Sequence, residues 1–200
     1  RVTTISSTRD VLVSSGSEEF MRSRNVEFSS NNVKPLTKFY HFMDGNGGLD
    51  FIPKLIEIAN DNTLSNYGSS KAFKVGETVT GTVDGETLIK FRVANSNHKY
   101  GPFNAPTTKF NINPYVKSEN LFDDYSQSSK VLNVDTFSLS EEAQGEYFGY
   151  LRVGMKLEGE DSGAIAFVKD LRLISDNYGD LIGSFFIRDP HTDPAPTVRI

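Results

Sequence analysis

Two short segments of this chain follow one template. Val75-Gly76-Glu77-Thr78-Val79-Thr80-Gly81 recurs as Val153-Gly154-Met155-Lys156-Leu157-Glu158-Gly159, and a further glycine follows at equal spacing in each copy, Gly85 and Gly163. Each copy reads as a strand hemmed by glycines, a tight turn and a second strand, over 88–93 in the first and 164–173 in the second. The glycines suit tight turns or close backbone approach between strands. They do not form a phosphate loop, because the following Lys-Ser/Thr and a helix to present it are both missing. The repeated unit holds no nucleophile, no base and no metal cluster, so the repetition concerns building. The copies lie about 78 residues apart. They enclose a long loop and a short helix, so they fit two strands of one domain as well as two stacked domains.

Around the repeat, strand formers, serine, threonine, asparagine and glycine dominate. Val26-Glu27-Phe28 alternates as a half-buried strand does. Lys34-Pro35 makes a turn, 39–43 is an aromatic strand, and Asp44-Gly45-Asn46-Gly47-Gly48 is a turn or loop. Residues 51–58 form an apolar strand interrupted by Pro53, which suggests an edge or a bulge. Farther on, Ile89, Phe91 and Val93 point one way while Lys90 and Arg92 point the other. The stretch 95–114, with Gly101, Pro102, Pro106 and Pro114, is a long irregular excursion of the sort that often contacts a neighbour. Strand pattern resumes at 131–134 and 147–153. Between them, Ser138 with Glu141 predicts a capping box that opens one helical turn, and Gly145 is suited to end it. A closing hairpin is expected from 171–174 and 181–187 around a turn at 176–179.

The pattern predicts an all-β fold of sandwich-like (Ig-like) modules with long loops and one short helix. The expected division is an N-terminal module over 1–70, a second module over 71–188 with a long loop at 95–130, and an extended linker over 189–200. At 200 residues, either one large β-domain or two ordinary ones fits. Arg1 and the abrupt end at Thr197-Val198-Arg199-Ile200 suggest a piece of a longer polypeptide.

Composition narrows the partners. Mean hydropathy of -0.38 and the lack of any run near the ~18 apolar residues of a membrane helix give no membrane role. A net charge of -5, with Arg22-Ser23-Arg24 as the densest basic cluster, argues against nucleic acid. There is no cysteine, hence no disulfide and no thiolate zinc site.

Chemistry-bearing residues are sparse. His41, His98 and His191 have no partner at metal-ligand spacing and no Ser/His/Asp context. His41, on an aromatic strand, reads as a packed structural residue, and His191 as solvated. His98, in Asn97-His98-Lys99-Tyr100-Gly101-Pro102, reads as fixing a loop. Asp44 to Asp50 resembles the start of a calcium loop, but Leu55 stands where a bidentate glutamate belongs, so a turn is favoured. Asp123-Asp124 and Glu158-Gly159-Glu160-Asp161 read as solvated acidic turns; an acid/base pair would need them facing each other across a cleft. Phe103, Phe110, Tyr115, Phe122 and Tyr125 admit two readings, a glycan- or partner-binding face and a set of anchors fixing a loop into the core. No cofactor, no metal and no catalytic residue is expected. The candidate contact residues are His98, Tyr100, Phe103, Phe110 and Tyr115.

Several of these motifs together resemble a known family. Met21-Arg22-Ser23-Arg24-Asn25-Val26-Glu27-Phe28, then Val33-Lys34-Pro35-Leu36-Thr37-Lys38-Phe39-Tyr40-His41-Phe42-Met43-Asp44-Gly45, is similar to a module of large tail or baseplate-associated virion proteins of cyanophage-type contractile-tailed phages. Asn97 to Pro102, Ser162-Gly163-Ala164 and Gly183-Ser184-Phe185-Phe186-Ile187 extend the likeness over about residues 22–190. Met43 stands in place of an aromatic and Arg188 in place of a proline. The resemblance implies a non-enzymatic structural component of the virion, assembled in the host cytoplasm. Its partners would be other virion structural proteins and further copies of itself, and it brings no catalytic residues. A carbohydrate-binding or host-adhesion module of the tail is the alternative.

Overall fold

The computed structural model describes residues 23–42, 50–95, 124–140 and 146–188, and these are predominantly β, as expected. The first glycine-framed copy gives β5 (Thr78–Val83) and β6 (Glu86–Arg92). Asp84 and Gly85 join them with φ of 51° and 86°. Two left-handed central residues make the turn whose twist matches that of paired strands, and Asp-Gly is its preferred sequence. Val79, Ile89 and Phe91 are fully buried, while Lys90 and Arg92 face outward. The second copy gives β9 (Lys156–Gly159) and β10 (Ile165–Asp170).

The two copies pair with each other. β5 and β9 run antiparallel with Val79 opposite Gly159, Thr80 opposite Glu158 and Gly81 opposite Leu157. Under the sequence template Thr80 and Glu158 are equivalent positions, so a local twofold passes through that pair. The flanking hydrogen bonds obey it. Gly76 N–H donates to the Val93 carbonyl at 2.8 Å and Gly154 N–H to the Val168 carbonyl at 2.7 Å; Val93 and Val168 donate back to the carbonyls of Glu77 and Met155, both at 2.9 Å. Gly76 and Gly154 share φ values of 86° and 87°. The copies are therefore two hairpins back to back in one sheet.

That sheet has seven strands, in the order β7-β4-β10-β9-β5-β6-β8, with β4 (Leu55–Ala59), β7 (Val131–Asn133) and β8 (Phe148–Gly149) completing it. A three-stranded sheet places β12 (Leu181–Ile187) between β1 (Arg24–Ser30) and β3 (Phe51–Pro53), and a two-stranded one joins β2 (Lys38–Phe39) to β11 (Leu173–Ile174). One buried cluster spans the two larger sheets, with Ile52 of β3 beside Ile56, Phe91, Leu132, Met155 and Leu157.

Several expectations are corrected. The boundary at residue 70 does not separate sheets: β4 lies between β7 and β10, and β12 lies between β1 and β3. Among the described residues, those before residue 70 close no sheet of their own, because their strands find their partners later in the chain. The apolar run at 51–58 is two strands, not one bulged strand; the chain leaves the three-stranded sheet after Pro53, at an edge that needs no N–H from it, and enters the larger sheet at Leu55. The aromatic strand expected at 39–43 ends at Phe39, and Tyr40 and Phe42 are 74% and 68% exposed. The stretch at 147–153 contributes only the two residues of β8. The turn at 176–179 forms, with Gly179 N–H bonded to the Asp176 carbonyl at 3.2 Å. The strands flanking it pair with β2 on one side and with β1 and β3 on the other, so no hairpin ladder results. The helix α1 (Thr136–Ser140) starts two residues before Ser138. Asp135 occupies the capping position, and the Ser138 hydroxyl donates instead to the Asp135 carbonyl at 2.7 Å. Glu141 and Gly145 lie outside the described residues.

Candidate functional site

Glu77 is the chemically busiest residue of the repeat. Its carboxylate, 2% exposed, accepts the N–H of Lys74 at 2.6 Å, those of Asp161 and Ser162 at 3.2 and 2.9 Å, and the Ser162 hydroxyl at 2.9 Å. It thus clamps the entry of the first hairpin to the turn of the second. Two of the framing glycines make room for this contact and its counterpart in the other copy. A Cβ at Gly159 would stand 2.7 Å from a Glu77 oxygen, and at the equivalent Gly81 one would stand 2.6 Å from the sulfur of Met155, the residue that matches Glu77 in the template. Each copy leaves room for the other's third side chain.

Over the outer face of the β5–β9 seam lies an open groove of about 350 Å³, lined by Thr80, Thr82, Glu158, Gly159, Glu160 and Gly163. Its carboxylates are about half exposed and paired with lysines, Glu158 with Lys156 at 2.8 Å and Glu160 with Lys90 at 3.4 Å. The carboxylates are solvated, as expected, but only Glu160 and Asp161 stand in the turn, since Glu158 and Gly159 belong to β9. Asp124 is exposed, and Asp123 lies outside the described residues.

Asp50 faces two guanidinium groups, Arg188 at 2.6 Å and Arg152 at 3.1 Å, and both guanidiniums stack over the ring of Tyr150. The position where the resemblance anticipates proline thus holds an arginine that ties the end of β12 to the start of β3. Asp44 to Gly48 lie outside the described residues. His41 packs on Phe51 and Phe185, with ring centroids 4.3 and 5.6 Å away, in keeping with its structural reading.

Tyr125 answers for one of the mid-chain aromatics. Its hydroxyl donates to the Ala94 carbonyl at 2.6 Å and accepts the Asn133 N–H at 3.0 Å, and burial pushes the phenol above its ordinary pKa. It is an anchor on the core. His98, Tyr100, Phe103, Phe110, Tyr115 and Phe122 lie outside the described residues, as does His191.

A group that sequence reading passed over sits where the two larger sheets meet. Lys54 is the one-residue link between β3 and β4; its N–H bonds the Ile182 carbonyl of β12 at 3.3 Å and its carbonyl accepts Val134 N–H, just past β7, at 2.8 Å. The side chain is 4% exposed and its amine has no hydrogen-bond partner. Burial pushes that amine down to about 8, against the opposing pull of Asp135 and then Glu27. Asp135 is fully buried, and burial raises its carboxyl above the ordinary range. The amides of Phe137 and Ser138 face this carboxylate at the head of α1, yet neither oxygen closes a hydrogen bond. Glu27 reaches in from β1 and accepts the Thr136 hydroxyl at 2.8 Å. The signal in the sequence was the pair of charges in the apolar run Phe51-Ile52-Pro53-Lys54-Leu55-Ile56-Glu57-Ile58-Ala59. Glu57, also buried, meets Lys169 at 3.3 Å; Lys54 has no such match.

Among the described residues, no group of three or more His, Asp or Glu side chains is placed to hold a metal ion, and no helix is long and apolar enough to cross a membrane. Comparison with known protein families, with curated proteins and with solved structures finds no match for this chain.

Proposed function

We propose that the chain is a non-enzymatic structural component of a tailed-phage virion, in the tail, baseplate or a fibre, and that its two larger sheets form a sandwich-like unit. The observation that carries this reading is the back-to-back pairing of the repeated hairpins. The buried charged group of the repeat, Glu77, is spent on fixing one hairpin to the other. The virion-like motifs give the reading its context. Arg24, Asn25, Val26 and Glu27 lie on β1, and Gly183 to Ile187 pair directly with it.

Assembly would use the rims and the exposed aromatics. β1 lies at the rim of the three-stranded sheet, where strand addition joins chains. Tyr40 and Phe42, just after β2, offer exposed apolar surface of the kind a neighbouring subunit covers. Light scattering on the purified chain across a concentration series tests this: self-association is expected, and a high-melting monomer at every concentration would count against the proposal. A glycan array supplies the opposing outcome. Specific glycan binding, lost in Phe103→Ala and Tyr115→Ala, would replace assembly with host adhesion.

A further inference from the structure

We propose that Lys54 and Asp135 condense into an intramolecular amide, with Glu27 as the proton carrier, so that a covalent cross-link bolts the joint between the two sheets to the head of α1. Three observations place the reactants together. The backbone bond from Val134 N–H to the Lys54 carbonyl, at 2.8 Å, puts Lys54 opposite the residue that precedes Asp135. Asp135 has already left the strand for the head of α1, and its charge and that of Lys54 act on each other across this joint. Second, both functional groups are buried and neither the amine nor the carboxyl oxygens have a hydrogen-bond partner. A buried ion pair kept for stability would be expected to close its hydrogen bonds, as leaving such groups unsatisfied is costly. Third, the carboxylate of Glu27 comes from the opposite sheet and is held at the adjacent Thr136.

The chemistry balances without a co-reactant. Burial favours the neutral amine and the protonated acid, which are the forms that condense. The Lys54 nitrogen attacks Cγ of Asp135 and the N–C bond forms. One C–O bond of Asp135 then breaks. The proton shed by nitrogen passes through the Glu27 carboxylate to the departing hydroxyl, which leaves as water. Nothing is oxidised or reduced. Confining amine and acid to one buried joint raises their effective concentration, and the step itself requires the lysine side chain to close on Cγ of Asp135. The product replaces two unsatisfied polar groups with one neutral amide.

Intact mass spectrometry of the full chain under denaturing conditions, followed by peptide mapping, tests the proposal. The expected mass is short by one water, with a branched peptide joining Lys54 to Asp135. Lys54→Ala and Asp135→Ala should carry their full masses, and Glu27→Gln should form the amide far more slowly. A wild-type chain that keeps its full mass after prolonged incubation at neutral pH overturns the inference, whatever the variants do. So does a water loss that maps to a linear peptide, such as cyclisation at Asp84-Gly85, or a loss of ammonia, which would make an asparagine the acceptor.

Discussion

Glu77 accepts four hydrogen bonds in a space that Gly159 leaves open, and this makes it the residue on which the hairpin pair most depends. Glu77→Ala takes the acceptor from the partly buried N–H donors of Lys74, Asp161 and Ser162, which water can reach in part, and should destabilise by about 1–2 kcal/mol in urea unfolding. Two glycines of the first copy give a sharper contrast. At Gly81 a Cβ would lie 2.4 Å from Ile89 and 2.6 Å from Met155, so Gly81→Ala should cost about 1–3 kcal/mol by overpacking. At Gly85 a Cβ meets nothing, and Gly85→Ala should cost only the strain of its left-handed backbone, about 1 kcal/mol. Equal losses at both sites in the same unfolding assay would contradict the close approach of the two copies. The sequence marked these glycines as structural, since glycine at fixed spacing has few other uses. It did not disclose Glu77, whose donors at 161 and 162 lie far along the chain, nor Lys54, whose isolation depends on what surrounds it in space.

At the level of elements, the seven-stranded sheet is strongest at its seam. β5 and β9 each have a strand on both sides, whereas β7 and β8 are short rim strands. Amide hydrogen exchange should therefore show the greatest protection at Val79, Gly81 and Leu157 and early exchange at the exposed Phe148. Faster exchange at the seam than at β8 would mean that the hairpins do not pair as described. The hairpin of β5 and β6 was legible, because Asp-Gly between alternating runs specifies both turn and register. The helix was legible as a short turn but its cap was misplaced by three residues, because Ser138 has the chemistry of a cap while Asp135 has the position. The expected closing hairpin failed for a related reason. A good turn at 176–179 fixes the path of the chain locally, and it leaves the choice of strand partners to packing.

For the whole molecule, the corrected division carries the clearest consequence. A chain limited to residues 71–188 would lack β1 to β4, and so would lose the strand between β7 and β10. It should show no cooperative unfolding transition, while residues 23–188 should; a folded 71–188 fragment would restore the two-module division. The sequence conveyed the β character and the duplication, but sheet membership depends on pairings between residues more than a hundred positions apart, which composition and periodicity do not encode. The central claim is that this chain builds a virion. Quantitative mass spectrometry of particles purified from a phage that encodes it addresses this most directly. The account predicts the chain at a fixed, stoichiometric copy number that survives further purification of intact particles. Recovery only in the soluble lysate, with none in the particles, would contradict it.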